Sequence, residues 1–292
     1  MARVLVIGAA YVDIVVNVQH LPKSGEDVAG DWRRTQVGGS AFNVQRALTY
    51  AGTTADLMAP VGQGEHATIV RETFQRLNIP VMVTDTSADN GWDVSFVEAN
   101  GERAFLAITG VARRGQAEWC TRFSLAKYDY VYLSGYELED AQAADVILTA
   151  LCQQPQLRVL FDTSPRVGSL MPEVLQQVIR PGMLIHGNLA EIKCLGLPTE
   201  TYQEIALRLN AITGELVVVT LDAQGSYYVE SGRGHMVPGT ATQVVNTIGA
   251  GDTHCGGLLA ELAAGNDTAQ AVQRANALAA LVVSQQGGAL EK

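Results

Sequence analysis

The strongest chemical signal in the sequence is the glycine-rich stretch Asn246-Thr247-Ile248-Gly249-Ala250-Gly251-Asp252-Thr253, which leads into an apolar helical pattern. Small residues let a ligand approach the backbone closely, and successive N–H groups at a helix start attract anions. Asp252 stands at the mouth of this predicted anion hole, where a carboxylate would repel a phosphate. Its placement is explained if it takes a proton from an attacking hydroxyl group. An N-cap aspartate on an ordinary turn is the alternative interpretation.

A second glycine pattern, Gly62-Gln63-Gly64-Glu65-His66-Ala67, lies between a predicted strand and a predicted helix, and Asp85 lies beyond the next predicted strand. This arrangement imitates the fingerprint that binds the pyrophosphate of a dinucleotide. It keeps an NAD-dependent oxidoreductase open as a function of a different class. The pattern G-x-x-x-x-G-K-[ST] of a P-loop does not occur in the chain.

Composition limits the partners and the compartment. The chain has 292 residues, 47% of them hydrophobic, and a net charge of -10 without any run rich in Lys or Arg. We therefore expect a folded protein that binds neither nucleic acid nor an anionic membrane. No apolar run reaches the ~18 residues of a membrane span. The four cysteines form no C-x-x-C pair and none has a histidine at zinc spacing, which favours buried reduced thiols and a cytoplasmic protein.

The elements that must position these loops alternate between short β-rich runs and helical patterns. Such alternation predicts an α/β fold with a central, mostly parallel sheet and helices on both faces. We predict strands at 4–7, 55–61, 79–84, 130–134, 158–162, 183–186, 216–221 and 243–245, and a hairpin at 226–237. We predict helices at 41–51, 65–77, 141–152, 172–178, 189–195, 202–212, 253–263 and 268–285.

Two regions interrupt the alternation. Strand-like segments at 13–18 and 27–36 come early, and those at 93–99 and 102–108 flank Asn100-Gly101, a strong hairpin signal. We expect them to form a small antiparallel sheet that acts as a lid. The predicted organisation is one domain over 1–292, with lid segments inserted at about 12–36 and 91–110.

Several motifs, taken together and in order, resemble those of ribokinase-type (PfkB-family) carbohydrate kinases. The stretch from Asn246 to Asp252 resembles the family's D-T-x-G-A-G-D signature, and Val37-Gly38-Gly39-Ser40-Ala41-Phe42-Asn43 resembles its N-terminal G-G-x-x-x-N signature. The remaining matches, which complete a span of nearly the whole chain, are Gly8 and Asp13, Asn188-Leu189-Ala190-Glu191, Thr220-Leu221-Asp222-Ala223-Gln224-Gly225, and Asn276-Ala277.

The resemblance implies ATP-dependent phosphorylation of a hydroxymethyl group, with Mg²⁺ as cofactor. It implies Asp252 as the base and the backbone at Gly249, Ala250 and Gly251 as the hole for the transferred phosphate. Sugar hydroxyls would be bound by Asp13, Gly38, Gly39 and Asn43. Asn188 and Glu191 would organise Mg²⁺ and phosphate through water, and Thr220, Gly225 and Asn276, together with Asn188, would line the nucleotide site. A homodimer through the lid strands is a further expectation.

Two arginines are additional candidates for contact with the substrate. Arg103 follows the Asn100-Gly101 turn, and Arg166 follows a predicted sheet strand, where α/β sites gather. A solvated arginine is the alternative at both positions. His254 lies next to the catalytic candidate in sequence, but its place inside the helix start favours packing.

The sequence departs from the family pattern at three positions. Asn246 replaces the first Asp of the signature, which leaves activation by K⁺ open; Asp222 replaces a usual Gly, and Gly64 a usual acidic residue. The acceptor is also open. A nucleoside kinase would need aromatic walls, which Tyr11, Phe42, Trp92 and Phe105 could supply, and a phosphosugar kinase would need lid cations such as Arg33, Arg34 and Arg103. A sugar-binding regulator without catalysis is another alternative.

Overall fold

The computed structural model describes residues 2–99, 102–113, 119, 124–196 and 198–291. These residues separate into two compact units. The large unit is made of the described residues of Met1–Gly8, Ser40–Met58 and Arg114–Lys292, and the small unit of those of Ala9–Gly39 and Ala59–Arg113.

An eight-stranded sheet forms the centre of the large unit. Its strands are β1 (Val4–Ile7), β4 (Ala55–Met58), β9 (Tyr130–Ser134), β10 (Arg158–Asp162), β11 (Met183–Asn188), β12 (Val217–Thr220), β13 (Gly225–Glu230) and β14 (Arg233–Pro238). The spatial order is β14-β13-β12-β11-β10-β9-β1-β4, and pairing is parallel from β12 to β4 and antiparallel at β13 and β14. Strands such as β1 are apolar throughout and fully buried, as expected of parallel strands covered by helices.

Seven helices of the large unit are described. They are α1 (Ser40–Tyr50), α3 (Ala141–Cys152), α4 (Pro172–Val178), α5 (Leu189–Cys194), α6 (Tyr202–Thr213), α7 (Ala250–Ala264) and α8 (Thr268–Val283). α1 packs against β1 and β4, α6 against β12, and α7 against β10 and β11. Their ends follow local sequence signals: Thr201 and Glu204 form a capping box before α6, and Gly214 ends that helix in the left-handed conformation.

The small unit contains a separate four-stranded sheet and one described helix. The sheet has the order β3-β2-β7-β8, with β2 at Tyr11–Val18, β3 at Gly30–Gly38, β7 at Trp92–Glu98 and β8 at Arg103–Ile108. The helix is α2 (Glu65–Arg76), and β5 (Pro60–Val61) pairs with β6 (Val83–Thr84).

The structure corrects the predicted pairing of this sheet. β2 and β7 run parallel, whereas β2–β3 and β7–β8 are antiparallel, so the sheet is mixed. The chain between β3 and β7 carries α1, β4, β5, α2 and β6, a connection long enough for a parallel return. The predicted Asn100-Gly101 turn lies outside the described residues.

Four other predictions from the sequence need correction. The run at 55–61 divides into β4 and β5 at Pro60, and only Val83–Thr84 of the run at 79–84 is a strand. Residues 243–245 form no strand; Val244 is 61% exposed, and the N–H of Val245 donates to the carbonyl of Val283. Of the described cysteines, Cys152 and Cys194 are exposed and only Cys255 is buried. Cys120 lies outside the described residues.

Candidate active site

The polar residues of the large unit gather where its parallel strands end. Glu137 follows β9, Thr163 follows β10, and Glu191 follows β11. Because parallel strands end at one edge of the sheet, these side chains share that edge, which is where open α/β sheets bind their ligands.

The loop before α7 is held in shape by Asn246, which is only 4% exposed. Its side chain accepts a hydrogen bond from the N–H of Ile248 at 2.9 Å and donates to the carbonyl of Gln286 at 2.9 Å. Gly249 then adopts a left-handed conformation, with φ 76°, immediately before the helix. A Cβ on Gly249 would lie 1.8 Å from the carbonyl oxygen of Gly288, so only glycine fits.

The start of α7 provides backbone donors for an anion. The first N–H groups of a helix have no partner in a preceding turn. The N–H of Ala250 donates to the carbonyl of Thr247 at 3.3 Å. The backbone N–H groups of Gly251 and Asp252 are therefore better placed to bind an anion. Gly251 is exposed, and a Cβ there would meet no atom within 4 Å.

Asp252 is held by two side chains from α1. Ser40 Oγ donates to Asp252 Oδ1 at 2.7 Å, and Asn43 Nδ2 donates to Asp252 Oδ2 at 2.8 Å. Burial raises the pKa of the Asp252 carboxyl to about 6, and the charge on Asp162 adds to the rise, whereas the bonds from Asn43 and Ser40 oppose it. A carboxylate with this pKa is ionised at neutral pH and basic enough to accept a proton.

A chain of hydrogen bonds extends from Asp252 into the core of the large unit. Ser40 Oγ lies 2.6 Å from the hydroxyl of Tyr132, which donates to Asp162 Oδ2 at 3.1 Å. Asp162 Oδ1 pairs with His186 Nδ1 at 2.8 Å, and His186 Nε2 lies 3.0 Å from His254 Nδ1. His254 is thus a buried, hydrogen-bonded residue rather than a base, and burial lowers its pKa well below the usual value.

The chain of hydrogen bonds from Asp252 ends at Asn276, which is 7% exposed. Its Oδ1 accepts from Ser226 Oγ at 2.7 Å and lies 3.1 Å from His254 Nε2. Its Nδ2 donates to the carbonyls of Val237 and Pro238 at 3.3 and 3.2 Å. Protein partners therefore occupy this amide, which holds the end of β14 and has no group left for direct contact with a nucleotide.

Cys255 joins this buried cluster, although no histidine lies at zinc spacing from it in the sequence. Its Sγ lies 3.1 Å from His186 Nδ1, and Asp162, His186 and Cys255 bring one ligand-type atom each within 4.8 Å of one another. Burial and the nearby carboxylates, Asp162 first, raise the pKa of the thiol well above its usual value. Cys255 is therefore a protonated thiol that takes part in core hydrogen bonding.

Asn188 and Glu191 form the capping box of α5. Asn188 accepts from the N–H of Glu191, and Glu191 Oε2 accepts from the N–H of Asn188 at 3.1 Å and from Thr163 Oγ1 at 2.9 Å. Burial and the charge on Asp162 raise the pKa of the Glu191 carboxyl.

Glu137 is a further candidate, which none of the sequence motifs contains. Ser134 Oγ donates to its carboxyl at 2.7 Å, and burial raises its pKa to about 7. A Cβ on Gly8 would lie 2.7 Å from Glu137 Oε1, which explains the glycine at the end of β1. The only signal available in the sequence was its place just beyond a predicted parallel strand.

The other predicted residues of the large unit lie at strand ends. Thr220 ends β12, and Gly225, with φ 104°, begins β13 where a Cβ would lie 2.1 Å from the carbonyl of Val237. Asp222, which replaces a usual glycine, has φ 51° and is exposed. Arg166 Nη1 lies 3.6 Å from Glu139 Oε1, which makes an ion pair. The Arg166 side chain is about half-exposed.

Three predicted sugar-binding residues lie together in the small unit. A Cβ on Gly38 would lie 2.1 Å from Asp13 Oδ2, so the Asp13 carboxyl occupies the space beside this glycine. Gly39 has φ 95°, and a Cβ there would lie 2.9 Å from the carbonyl oxygen of Ala9 and 3.2 Å from the backbone nitrogen of Tyr11. Arg103 belongs to β8, but its side chain lies outside the described part of the chain.

The glycine pattern at 62–67 serves a structural purpose. Asp89 Oδ2 accepts from the N–H of His66 at 3.1 Å, and Asp89 Oδ1 accepts from that of Ala67 at 2.7 Å. A carboxylate of the chain itself therefore occupies the place at the start of α2 where a pyrophosphate would bind. A Cβ on Gly64 would clash with Asp89, which accounts for that glycine.

Comparison with known proteins decides the family. The model of the pfkB family of carbohydrate kinases matches residues 1–291. The chain belongs to the PfkB family of carbohydrate kinases. It is 31% identical to an uncharacterized sugar kinase of Escherichia coli K12, YegV, over 98% of this chain and 89% of that protein. The enzyme is therefore a phosphotransferase with a hydroxyl acceptor, and the NAD-dependent oxidoreductase interpretation is wrong.

Solved structures agree on the fold. The ribokinase of Thermotoga maritima is similar with a TM-score of 0.86 and 21% identity, covering 99% of this chain and 95% of that one. A nucleoside kinase of Burkholderia thailandensis, solved with inosine, has a TM-score of 0.79 and 18% identity, covering 98% and 91%. The predicted ribokinase-like α/β fold is confirmed. No described helix is long and apolar enough to cross a membrane.

Proposed function

We propose that this PfkB-family kinase transfers the γ-phosphate of ATP to a hydroxymethyl group of a small sugar. The observation that carries the proposal is Asp252, a half-buried carboxylate held by Ser40 and Asn43 directly at the start of α7. In this position it would take the proton of the attacking hydroxyl while the backbone N–H groups around Gly249–Gly251 stabilise the phosphate in transfer.

The carboxylates at the sheet edge fit a divalent cation that accompanies the nucleotide. The charge on Asp162 contributes to the raised pKa values of Asp252, Glu137 and Glu191, so negative charge is concentrated there. Oxygen donors of this kind suit Mg²⁺, which would neutralise charge on the phosphates. Asn188 and Glu191 would hold it through water, since their own groups are engaged in the capping box. The Asn246 side chain shapes its loop and, as an amide, supplies no negative charge to a K⁺ ion.

The remaining residues would bind the two substrates. Thr220, Gly225 and Asn188 would line the nucleotide site, with Asn276 positioning the end of β14. Asp13, Gly38, Gly39 and Asn43 would bind acceptor hydroxyls, and Arg166 and Arg103 would assist. We also propose a cytoplasmic location and a homodimer through the strands of the small sheet.

A nucleoside is a second candidate acceptor, favoured by Phe105. Its ring is 57% exposed on the face of the small sheet that carries Asp13, where it could stack on a base. Tyr11 and Phe42 are less suitable, since the first bonds to the carbonyl of Thr109 and the second is 2% exposed.

The experiment is a screen for ADP release from MgATP over neutral sugars and nucleosides. We expect phosphorylation of at least one acceptor, with the product carrying the phosphate on a primary hydroxyl. ATP hydrolysis that no sugar or nucleoside accelerates would contradict the proposal.

A further inference from the structure

Strand register places an unexpected second carboxylate beside Asp13. Asp13 on β2 pairs with Asp93 on β7 and with Gln36 on β3, so these three side chains form one row across the small sheet. The next row on the same face contains Arg34, Val15, Ser95 and Phe105. A polar patch therefore crosses three strands on one face.

The two carboxyl groups of this patch are placed so that they can share one proton. Their side chains are in hydrogen-bonding contact, and the Gln36 side chain also bonds to Asp13. Burial raises the pKa of Asp13 and also the pKa of Asp93. The charge of Asp93 raises the pKa of Asp13 further. Like charges at directly opposed positions cannot both ionise without cost, so one carboxyl stays protonated while the other is a carboxylate.

Two buried polar atoms on this face have no partner within the part of the chain that is described. One is Asp93 Oδ1, and the other is Ser95 Oγ, on a side chain only 2% exposed. They stand two residues apart on β7 and therefore point to the same side of the sheet. Unpaired buried polar atoms are rare in folded proteins, and their presence beside an opposed carboxyl pair indicates a ligand that supplies the missing partners.

We propose that Asp93 and Asp13 together recognise two adjacent hydroxyl groups of a neutral acceptor, and that the pair excludes acceptors with a phosphate or carboxylate at this position. This inference rests on the proposed function and narrows its substrate class. The shared proton stays in the hydrogen bond between the two carboxyl groups, so Asp93 Oδ1 accepts from one hydroxyl and an oxygen of Asp13 accepts from the adjacent hydroxyl, which suits a vicinal diol.

Charge in the patch also argues for a neutral acceptor. The shared proton leaves the pair with one negative charge, and Arg34 supplies a positive charge that acts on Asp13. No excess of positive charge is then left for an anionic acceptor, which would instead meet the carboxylate at close range.

The test compares Asp93→Asn with Asp31→Asn in the full-length protein. Asp31 is exposed near the opposite end of β3, so its variant changes the same charge in the same sheet away from the pair. Probes are D-ribose, D-fructose and inosine as neutral acceptors, and D-fructose 6-phosphate and D-gluconate as anionic ones that keep a free hydroxymethyl group. Initial rates give KM for acceptor and for ATP, and thermal unfolding gives stability.

We expect the wild type to use neutral acceptors and to leave both anionic ones unphosphorylated. In Asp93→Asn the acceptor KM should rise about 10-fold or more, as for a lost hydrogen bond to a charged group, with ATP KM within about 2-fold. Its melting temperature should equal or exceed that of the wild type, because an opposed carboxyl pair is relieved. Asp31→Asn should match the wild type in both KM values.

Three results would overturn the inference while leaving kinase activity established: preferred use of an anionic acceptor, an unchanged acceptor KM in Asp93→Asn, or a lower melting temperature with equal rises in both KM values. The last pattern would assign Asp93 a structural role. Absence of any acceptor-dependent turnover would remove the proposed function and the inference together.

Discussion

At the scale of single residues, the reactivity of Asp252 is a balance of opposed effects. Burial and the charge of Asp162 raise its pKa, and hydrogen bonds from Asn43 and Ser40 lower it, with a result of about 6. In the proposed mechanism the ionised form is the base, so activity should require a pH above that value. Acid should therefore inhibit phosphate transfer without removing the nucleotide.

Substitution of Ser40 tests this balance. Ser40→Ala removes a donor to Asp252 Oδ1, so the pKa of Asp252 should rise and the acidic limb of the rate profile should move from about pH 6 upward by about one unit. The measurement is kcat/KM for the acceptor against pH. Ser284→Ala, at an exposed serine that ends α8, is the matched control and should keep the wild-type profile. If the acidic limb did not move in Ser40→Ala, the titration of Asp252 would not be what sets the pH profile.

At the scale of elements, the loop before α7 combines a left-handed glycine turn with an open helix start. Gly249 adopts φ 76° against the carbonyl of Gly288, and Gly251, two residues later, has open space around its Cα. The first glycine serves the conformation of the loop, and we expect the second to serve the approach of the phosphate in the proposed function.

The two glycines should respond differently to alanine. Gly249→Ala should lower the free energy of unfolding by about 2 kcal/mol or more, since a left-handed alanine costs ~1–2 kcal/mol before the clash with Gly288. Gly251→Ala should leave stability unchanged or raise it by about 0.5 kcal/mol, because alanine favours a helix. It should nevertheless reduce phosphate transfer, because its methyl group would enter the proposed anion hole.

Urea denaturation and steady-state rates measure both effects. Equal loss of stability in the two variants would show that the helix start is packed by contacts other than those around Gly249. Full activity in Gly251→Ala would place the transferred phosphate elsewhere.

At the scale of the whole molecule, one face of the small sheet exposes several large apolar side chains. Trp32, Leu106 and Ile108 are 67%, 55% and 45% exposed and lie on one face of the four-stranded sheet, opposite the face of Asp13 and Asp93. Apolar residues grouped in this way indicate an interface, and a second copy of the chain is the partner that the proposed lid dimer requires.

Disruption of this surface should change the molecular mass in solution. We expect the wild type to have about twice the 31.1 kDa of one chain, and Leu106→Lys to approach that of one chain. Val81→Lys, at a 40% exposed position of the small unit outside the sheet, should remain dimeric. Light scattering after size exclusion gives the masses. A monomeric wild type, or equal dissociation of both variants, would contradict the lid dimer.

Local sequence patterns predicted the parallel sheet, most helices and the glycine loop at the start of α7, because strand and helix periodicity act over a few residues. Asn43 and Asp252 could be joined only through family motifs, since they are far apart in the chain. The contacts of Asp89 with α2, of Glu137 with Ser134 and of Asp93 with Asp13 depend on chain reversal and strand register. Register is a non-local property, and a shift of one residue would turn Asp93 to the other face.

Transfer of labelled γ-phosphate from MgATP to the best acceptor by Asp252→Asn tests the central claim most directly. Asparagine keeps the size of the side chain but cannot accept the hydroxyl proton, so turnover should fall by about 10²-fold or more. ATP affinity, measured by calorimetry, should be retained, because the backbone of the helix start is unchanged. Near wild-type turnover in this variant, with ATP still bound, would contradict the assignment of Asp252 as the base.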